Sequence, residues 1–389
     1  MKELCFTVLL VFAVPTLLMT QSGKMLSPAD FKGSSSCQEC HGEIYEQWTT
    51  SMHSRAFQDP VYLTFLRKVS EKTQGRTDKF CVSCHAPLAS VTNTGPQKIY
   101  TGFVQSRLAA ESVACEFCHT ILGRETGRLS LGALLFPRRG QTNIMYGRHE
   151  DASTKEHGTQ VSKFLLSSEL CGTCHRFSHP ANGLPIQDTY AEWKQGPYPA
   201  EGKRCQDCHM PTYSGKAADK GPVRPELHAH VFKGGHTNMI EKAATVGVRA
   251  QWKDSSRRDR LSVNVVVTNS GAGHFIPTGI PGIREMWLEV TVFNVNQIVA
   301  VERRPFGRVL LDKSGQAALP WDAVSLGKDT RIAPKQSREE NMEFNVSNHS
   351  GIRVEAKMLE RLVSEVAARF AGVSPSPPLL MAQASTSVP

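Results

Sequence analysis

Ten cysteines and five histidines of this chain fall into one repeated arrangement, Cys-x-x-Cys-His. It reads CQECH at 37–41, CVSCH at 81–85, CEFCH at 115–119, CGTCH at 171–175 and CQDCH at 205–209. Thiols and imidazoles bind soft and borderline metals, and thiols also cross-link. Disulfides would account for paired cysteines in an exported chain, and zinc would account for paired C-x-x-C elements. Neither requires a histidine directly after every second cysteine, whereas a covalently held porphyrin does. On one helical turn, positions i, i+3 and i+4 share a face. Two thiols then reach the two vinyl groups of one ring while the histidine lies beneath its iron. Each motif reads as a c-type haem attachment site, so five haem c groups are expected. Their thioether residues are Cys37, Cys40, Cys81, Cys84, Cys115, Cys118, Cys171, Cys174, Cys205 and Cys208. Their proximal iron ligands are His41, His85, His119, His175 and His209.

Nine further histidines could fill the sixth iron positions. His53 follows EIYEQWTTSM, which continues as a helix from the first motif. Twelve residues of helix span about 18 Å, whereas two imidazoles on one metal bring their nitrogens to about 4 Å. His53 is therefore expected to serve a neighbouring iron. RPELHAHVFKGGH carries His228, His230 and His236, of which the first two share a face in a strand. His157, in TKEHGTQ, precedes the fourth motif, and His274 lies in NSGAGHFIPTG; His149 and His179 are weaker candidates.

The elements that must position these groups divide the chain in two. Residues 1–22 read as a cleaved signal peptide, with Lys2 before an apolar run that Pro15 interrupts; no other stretch is apolar enough to cross a bilayer. Residues 23–236 hold all five motifs in loop-rich sequence. Aromatic residues make up 7% of the chain, so porphyrins are expected to form much of that core. Successive motifs begin 44, 34, 56 and 34 residues apart, and the repeated spacing hints at close pairs formed by the motifs at 81 and 115 and at 171 and 205. Residues 237–258 read as a linker. From 259 the sequence alternates with period two: Leu261, Val263, Val265 and Val267; Leu288, Val290 and Val292; Met342, Phe344 and Val346; Ile352, Val354, Ala356 and Met358. That pattern predicts an antiparallel sandwich. Met358, Leu362, Val366 and Phe370 predict a helix closing the domain 259–372, and 373–389 reads as a disordered tail. The expected fold class is mixed, a mostly α and loop multihaem domain followed by an all-β antiparallel sandwich.

From Ser167 to Pro211 the chain reads SSELCGTCHRFSHPANGLPIQDTYAEWKQGPYPAEGKRCQDCHMP. This resembles the secreted multihaem cytochromes c of the cytochrome c-554 type, as does CQECHGEIYEQWTTSMHSRA at 37–56. The resemblance extends over about 37–236, weakest between 86 and 150, and implies a haem electron carrier. It also implies distal ligands at His53, at His157 and at His228 or His230. The family's first known members hold four haems, whereas this chain has five motifs. The segment NSGAGHFIPTG resembles a loop of sandwich domains attached to related cytochromes, which would bring His274 to a haem at the domain boundary.

These readings predict an electron-transfer protein of the periplasm or cell exterior rather than an enzyme. Its donor and acceptor would be redox proteins, and homo-oligomers are compatible with it. The alternatives are a reductase or oxidase of small nitrogen or sulfur compounds at one open haem, and a subunit of an extracellular cytochrome filament. The formal charge of +9 does not argue for nucleic acid. Haem propionates would bring it to about +4 when the irons are ferric and about −1 when ferrous.

Overall fold

Asp59 and Pro60 open the longest of the described helices, Pro60–Thr73. The Asp59 carboxylate accepts from the Tyr62 amide at 2.8 Å, Pro60 supplies a pre-set φ, and Gln74 closes the helix in the left-handed region. Its inward face carries Phe65, Leu66 and Val69. The computed structural model describes residues 26–96, 98–101, 105–346 and 351–388, without the side chain of Tyr100. The expected signal segment and His349 lie outside the described residues. None of the described helices is long and apolar enough to cross a membrane.

The N-terminal half is built of short helices and two-stranded ribbons. Its apolar cluster is small, gathering Phe31, Phe57, Leu66, Leu88, Ile99, Leu108, Phe117 and Ile121 among others. Buried carboxylates and hydroxyls fasten the segments to each other. Glu116 accepts from the amides of Lys32 and Gly33 at 3.0 and 2.7 Å. Ser34 Oγ accepts from the Cys115 amide, and Ser168 Oγ accepts from the Cys205 amide in the same way. In both cases the serine three residues before one motif caps the helix of another.

The C-terminal half is an antiparallel sandwich of seven strands: β1 (Thr245–Trp252), β2 (Arg260–Thr268), β3 (Glu285–Asn294), β4 (Gln297–Phe306), β5 (Ser337–Asn345), β6 (Ile352–Arg361) and β7 (Leu379–Val388). One sheet runs β5–β2–β1 and the other β4–β3–β6–β7. The alternating residues from the sequence meet between them: Leu261, Val263, Val265, Val267, Leu288, Val290, Val292, Val354, Ala356 and Met358 are all fully buried.

Three boundaries differ from expectation. Residues 245–252, read as linker, pair with β2 from Leu261↔Trp252 to Thr268↔Thr245. The segment TVGVRAQW places Val246, Val248, Ala250 and Trp252 against the core, a period-two signal masked by its polar partners. Residues 379–388, read as disordered, pair with β6 along their whole length. Small and hydroxylated residues suit this edge, and Met381 and Val388 bury. The closing helix is Glu365–Ala371, capped by Ser364 and ended by Gly372 at φ 74. Met358 belongs to β6 instead, because the apparent four-residue period ran across a strand and a helix.

That closing helix docks the two halves. Ala367, Ala371 and Phe370 pack on Phe65 and Trp321, and Lys68 donates to the Phe370 carbonyl at 2.5 Å. Arg308, from the sandwich, donates to the carbonyls of Pro185 and Ile186.

Candidate metal centres

Each motif occupies a short helix or the end of one. Asp78–His85, Cys115–His119 and Cys205–His209 contain their motifs, while Ser35–Gln38 and Ser168–Gly172 lead into theirs. None of the ten motif cysteines is joined in a disulfide. All ten line one continuous cavity of about 2300 Å³, where a pocket for one small molecule takes roughly 300–1,000 Å³. Among the described residues, no three His, Cys, Asp or Glu side chains converge on a common metal position, as a zinc site would need.

Four of the five motif histidines are held in one tautomer by the main chain. His41 Nδ1 lies 2.5 Å from the Ala217 carbonyl oxygen, and His85 Nδ1 lies 2.7 Å from that of Ala56. His119 Nδ1 is 2.6 Å from the Tyr146 oxygen, and His209 Nδ1 is 2.5 Å from the Lys233 oxygen. A carbonyl has no proton to give, so in each contact Nδ1–H donates. Nε2 is left with its lone pair free, which is the form that ligates iron. His175 differs, because its Nδ1 meets the Gln187 side-chain amide at 3.2 Å.

Four motif histidines face a second histidine across the cavity. Ring centroids are 6.4 Å apart for His41 and His157, and 6.3 Å for His53 and His175. They are 6.2 Å apart for His119 and His230, and 6.3 Å for His209 and His274. A ring centroid sits about 1 Å behind its coordinating nitrogen, so two imidazoles on one metal at about 2 Å each stand about 6 Å apart. The residues present therefore fit an iron between each pair. Burial pushes His53 and His230 down to about 3 and His175 to about 4, and it lowers His85, His119 and His274 as well. The rings stay neutral, as metal ligation requires.

The second motif is the exception. The ring against His85 is Tyr62, stacked on its face at 3.7 Å and 8° between planes, and among the described residues no second histidine faces His85 at the spacing of the other four pairs. The Tyr62 hydroxyl is buried and has no hydrogen-bond partner among the described residues. Other candidates lie elsewhere. His228 Nδ1 donates to the Met210 carbonyl, and His236 sits against Gly234. His179 accepts from the Ala181 amide, and His149 lines the cavity. None of these four faces a motif histidine as the paired rings do.

Elements far apart in sequence deliver the second histidines. His53 lies in the loop after helix Gly42–Thr49, its carbonyl accepting from the Val113 amide. His230 follows the strand Val223–His228. His274 is carried by the sandwich, in a loop held by buried groups. Asn269 donates to the His274 and Ile332 carbonyls, and Glu192 accepts from Thr278 Oγ at 2.7 Å and from the Phe275 amide. Arg331, nearly buried, pairs with Glu192 from the other side. Gly271 is required there, since a Cβ would overlap the Lys242 carbonyl oxygen.

The centres also neighbour each other. Cys37 neighbours Cys115, Cys84 neighbours Cys174 and Cys171 neighbours Cys205. The motifs at 171 and 205 thus associate as their spacing hinted, whereas that at 115 joins the first motif and that at 81 joins the fourth. Phe232 bridges the third and fourth centres, 4.3 Å from His53 and 5.9 Å from His230. Sequence reasoning missed Phe232, Tyr62 and the Glu192–Arg331 pair, none of which stands in a motif.

Residues 36–120 match the family described as Cytochrome c554 and c-prime. Among solved structures, a penta-heme cytochrome c552 from Thermochromatium tepidum shares the fold with a TM-score of 0.69. It is 22% identical, and the match covers 93% of this chain and 100% of that one. A β-glucosidase from Kluyveromyces marxianus also matches, at 12% identity over 37% of this chain and 14% of that one; its TM-score of 0.14 carries no argument. No curated protein sequence matches the chain.

Proposed function

We propose that this chain, whose residues 36–120 match the cytochrome c554 and c-prime family, is an exported electron-transfer protein with five covalently attached haem c groups. Haem supplies the one-electron chemistry when bound, and the chain supplies spacing, ligands and exclusion of water. Ten cysteines would form the thioethers, and His41, His85, His119, His175 and His209 would hold the irons from one side. His157, His230, His53 and His274 would close the first, third, fourth and fifth centres. The observation that carries this reading is the set of four imidazole pairs at 6.2–6.4 Å. Histidine on both sides lacks the potential-raising effect of a His/Met pair, so these centres would work at low potential. Electron paramagnetic resonance of the oxidised protein tests it, with four low-spin irons and one high-spin iron expected. Two or more high-spin irons would refute the pairing.

The second centre favours a second reading. With no second histidine facing His85 among the described residues, as one faces each of the other four motif histidines, that iron would keep a coordination position for a small nitrogen or sulfur compound. Loss of the high-spin signal on adding nitrite or cyanide would support reduction or oxidation there. An unchanged signal would leave electron transfer alone.

A further inference from the structure

His53 and His175 differ from the other three facing pairs in what their outer ring nitrogens touch. His41 and His157 donate to the carbonyls of Ala217 and Gly158, His119 and His230 to those of Tyr146 and His228, and His209 and His274 to those of Lys233 and Phe275. His53 Nδ1 is buried with no hydrogen-bond partner among the described residues, and His175 Nδ1 meets only the amide nitrogen of half-exposed Gln187 at 3.2 Å. An Nδ1–H that donates to a carbonyl makes its imidazole more basic, which favours ferric iron; a ring without that acceptor favours ferrous iron.

We propose that the fourth centre has the highest reduction potential of the four bis-histidine sites and collects electrons from its neighbours, with Gln187 as the positioning residue that sets it. The surroundings agree. This motif neighbours the second and fifth through Cys84 and Cys205, and Phe232 lies between it and the third. The fourth site thus stands beside three of the other four. Gln187 is held by its strand Pro185–Gln187, whose carbonyls Arg308 anchors from the sandwich, so the amide stays beside His175.

The inference rests on the haem reading, and the test separates the two. Potentiometric titration of the holoprotein, followed by electron paramagnetic resonance, would be run on the native chain, Gln187→Glu and Gln187→Met. The atom of Gln187 nearest His175 Nδ1 is the amide nitrogen, which cannot accept; a carboxylate there would give Nδ1–H an acceptor, so Gln187→Glu should move the highest-potential low-spin step downward and leave the other three in place. Gln187→Met should leave that step at the top or raise it. If Gln187→Glu shifts a lower step, or if the top low-spin step ignores both variants, the inference fails while the haem reading stands. Absence of four low-spin signals in the native protein would defeat the reading itself.

Discussion

His41, His85, His119 and His209 each direct Nδ1 at a main-chain carbonyl, and that choice fixes which nitrogen is free for a metal. The motifs were legible because their pattern is local: two thiols and an imidazole on one helical turn need no tertiary information. The carbonyls of Ala217, Ala56, Tyr146 and Lys233 were not, since every residue carries one and only the fold selects which arrives. Tyr62 was hidden for a related reason, because in PVYLTFLRK it looks like any aromatic on a helix face. At this scale, His230→Leu should convert one low-spin iron to high-spin and leave three low-spin signals. Unchanged low-spin intensity would assign the third centre's ligand to another residue, His228 first. Tyr62→Phe should leave all low-spin signals intact, as its ring supports His85 by stacking and its hydroxyl bonds nothing among the described residues. Appearance of a new high-spin species would contradict that role.

Helices too short to be stable alone hold the motifs, so their positions come from side chains on other segments, such as Ser34, Ser168 and Glu116. The strands of the sandwich were legible wherever one face is uniformly aliphatic, as in RLSVNVVVT. They were missed where the buried face uses Trp252 and Ala250 or the small residues of β7. Leu288 is fully buried between the sheets; Leu288→Ala should cost about 2–5 kcal/mol, measured as a lower urea midpoint. The Glu192–Arg331 pair joins helix Thr189–Gln195 to the loop of His274, with side chains 6% and 8% exposed. Removing one partner of a buried ion pair costs roughly 3–5 kcal/mol. Arg331→Met is therefore expected to lower the thermal midpoint and to weaken the low-spin signal of the fifth centre together. A fall in stability with that signal untouched would show that the pair serves the fold alone.

Across the whole molecule, the sandwich and the motif-bearing half act as one unit. One half supplies His274 and the Arg308 anchor, and the other supplies the cysteines. The sequence change near residue 237 marked two domains, but only His274 hinted that they share a centre. Charge belongs to this scale too. Propionates would bring the formal +9 to about +4 in the ferric protein, so reduction by an acidic donor protein should slow as ionic strength rises and the screening length falls from about 30 to 8 Å. A rate independent of salt would remove any preference for acidic partners. All of this depends on what the ten thiols are bonded to, which the mass of the purified, denatured polypeptide reads directly. The account predicts a mass increased by five covalently attached haem groups, with haem absorbance retained after denaturation. A chain with no added mass, or one lighter by two hydrogens per bridged cysteine pair, would contradict it.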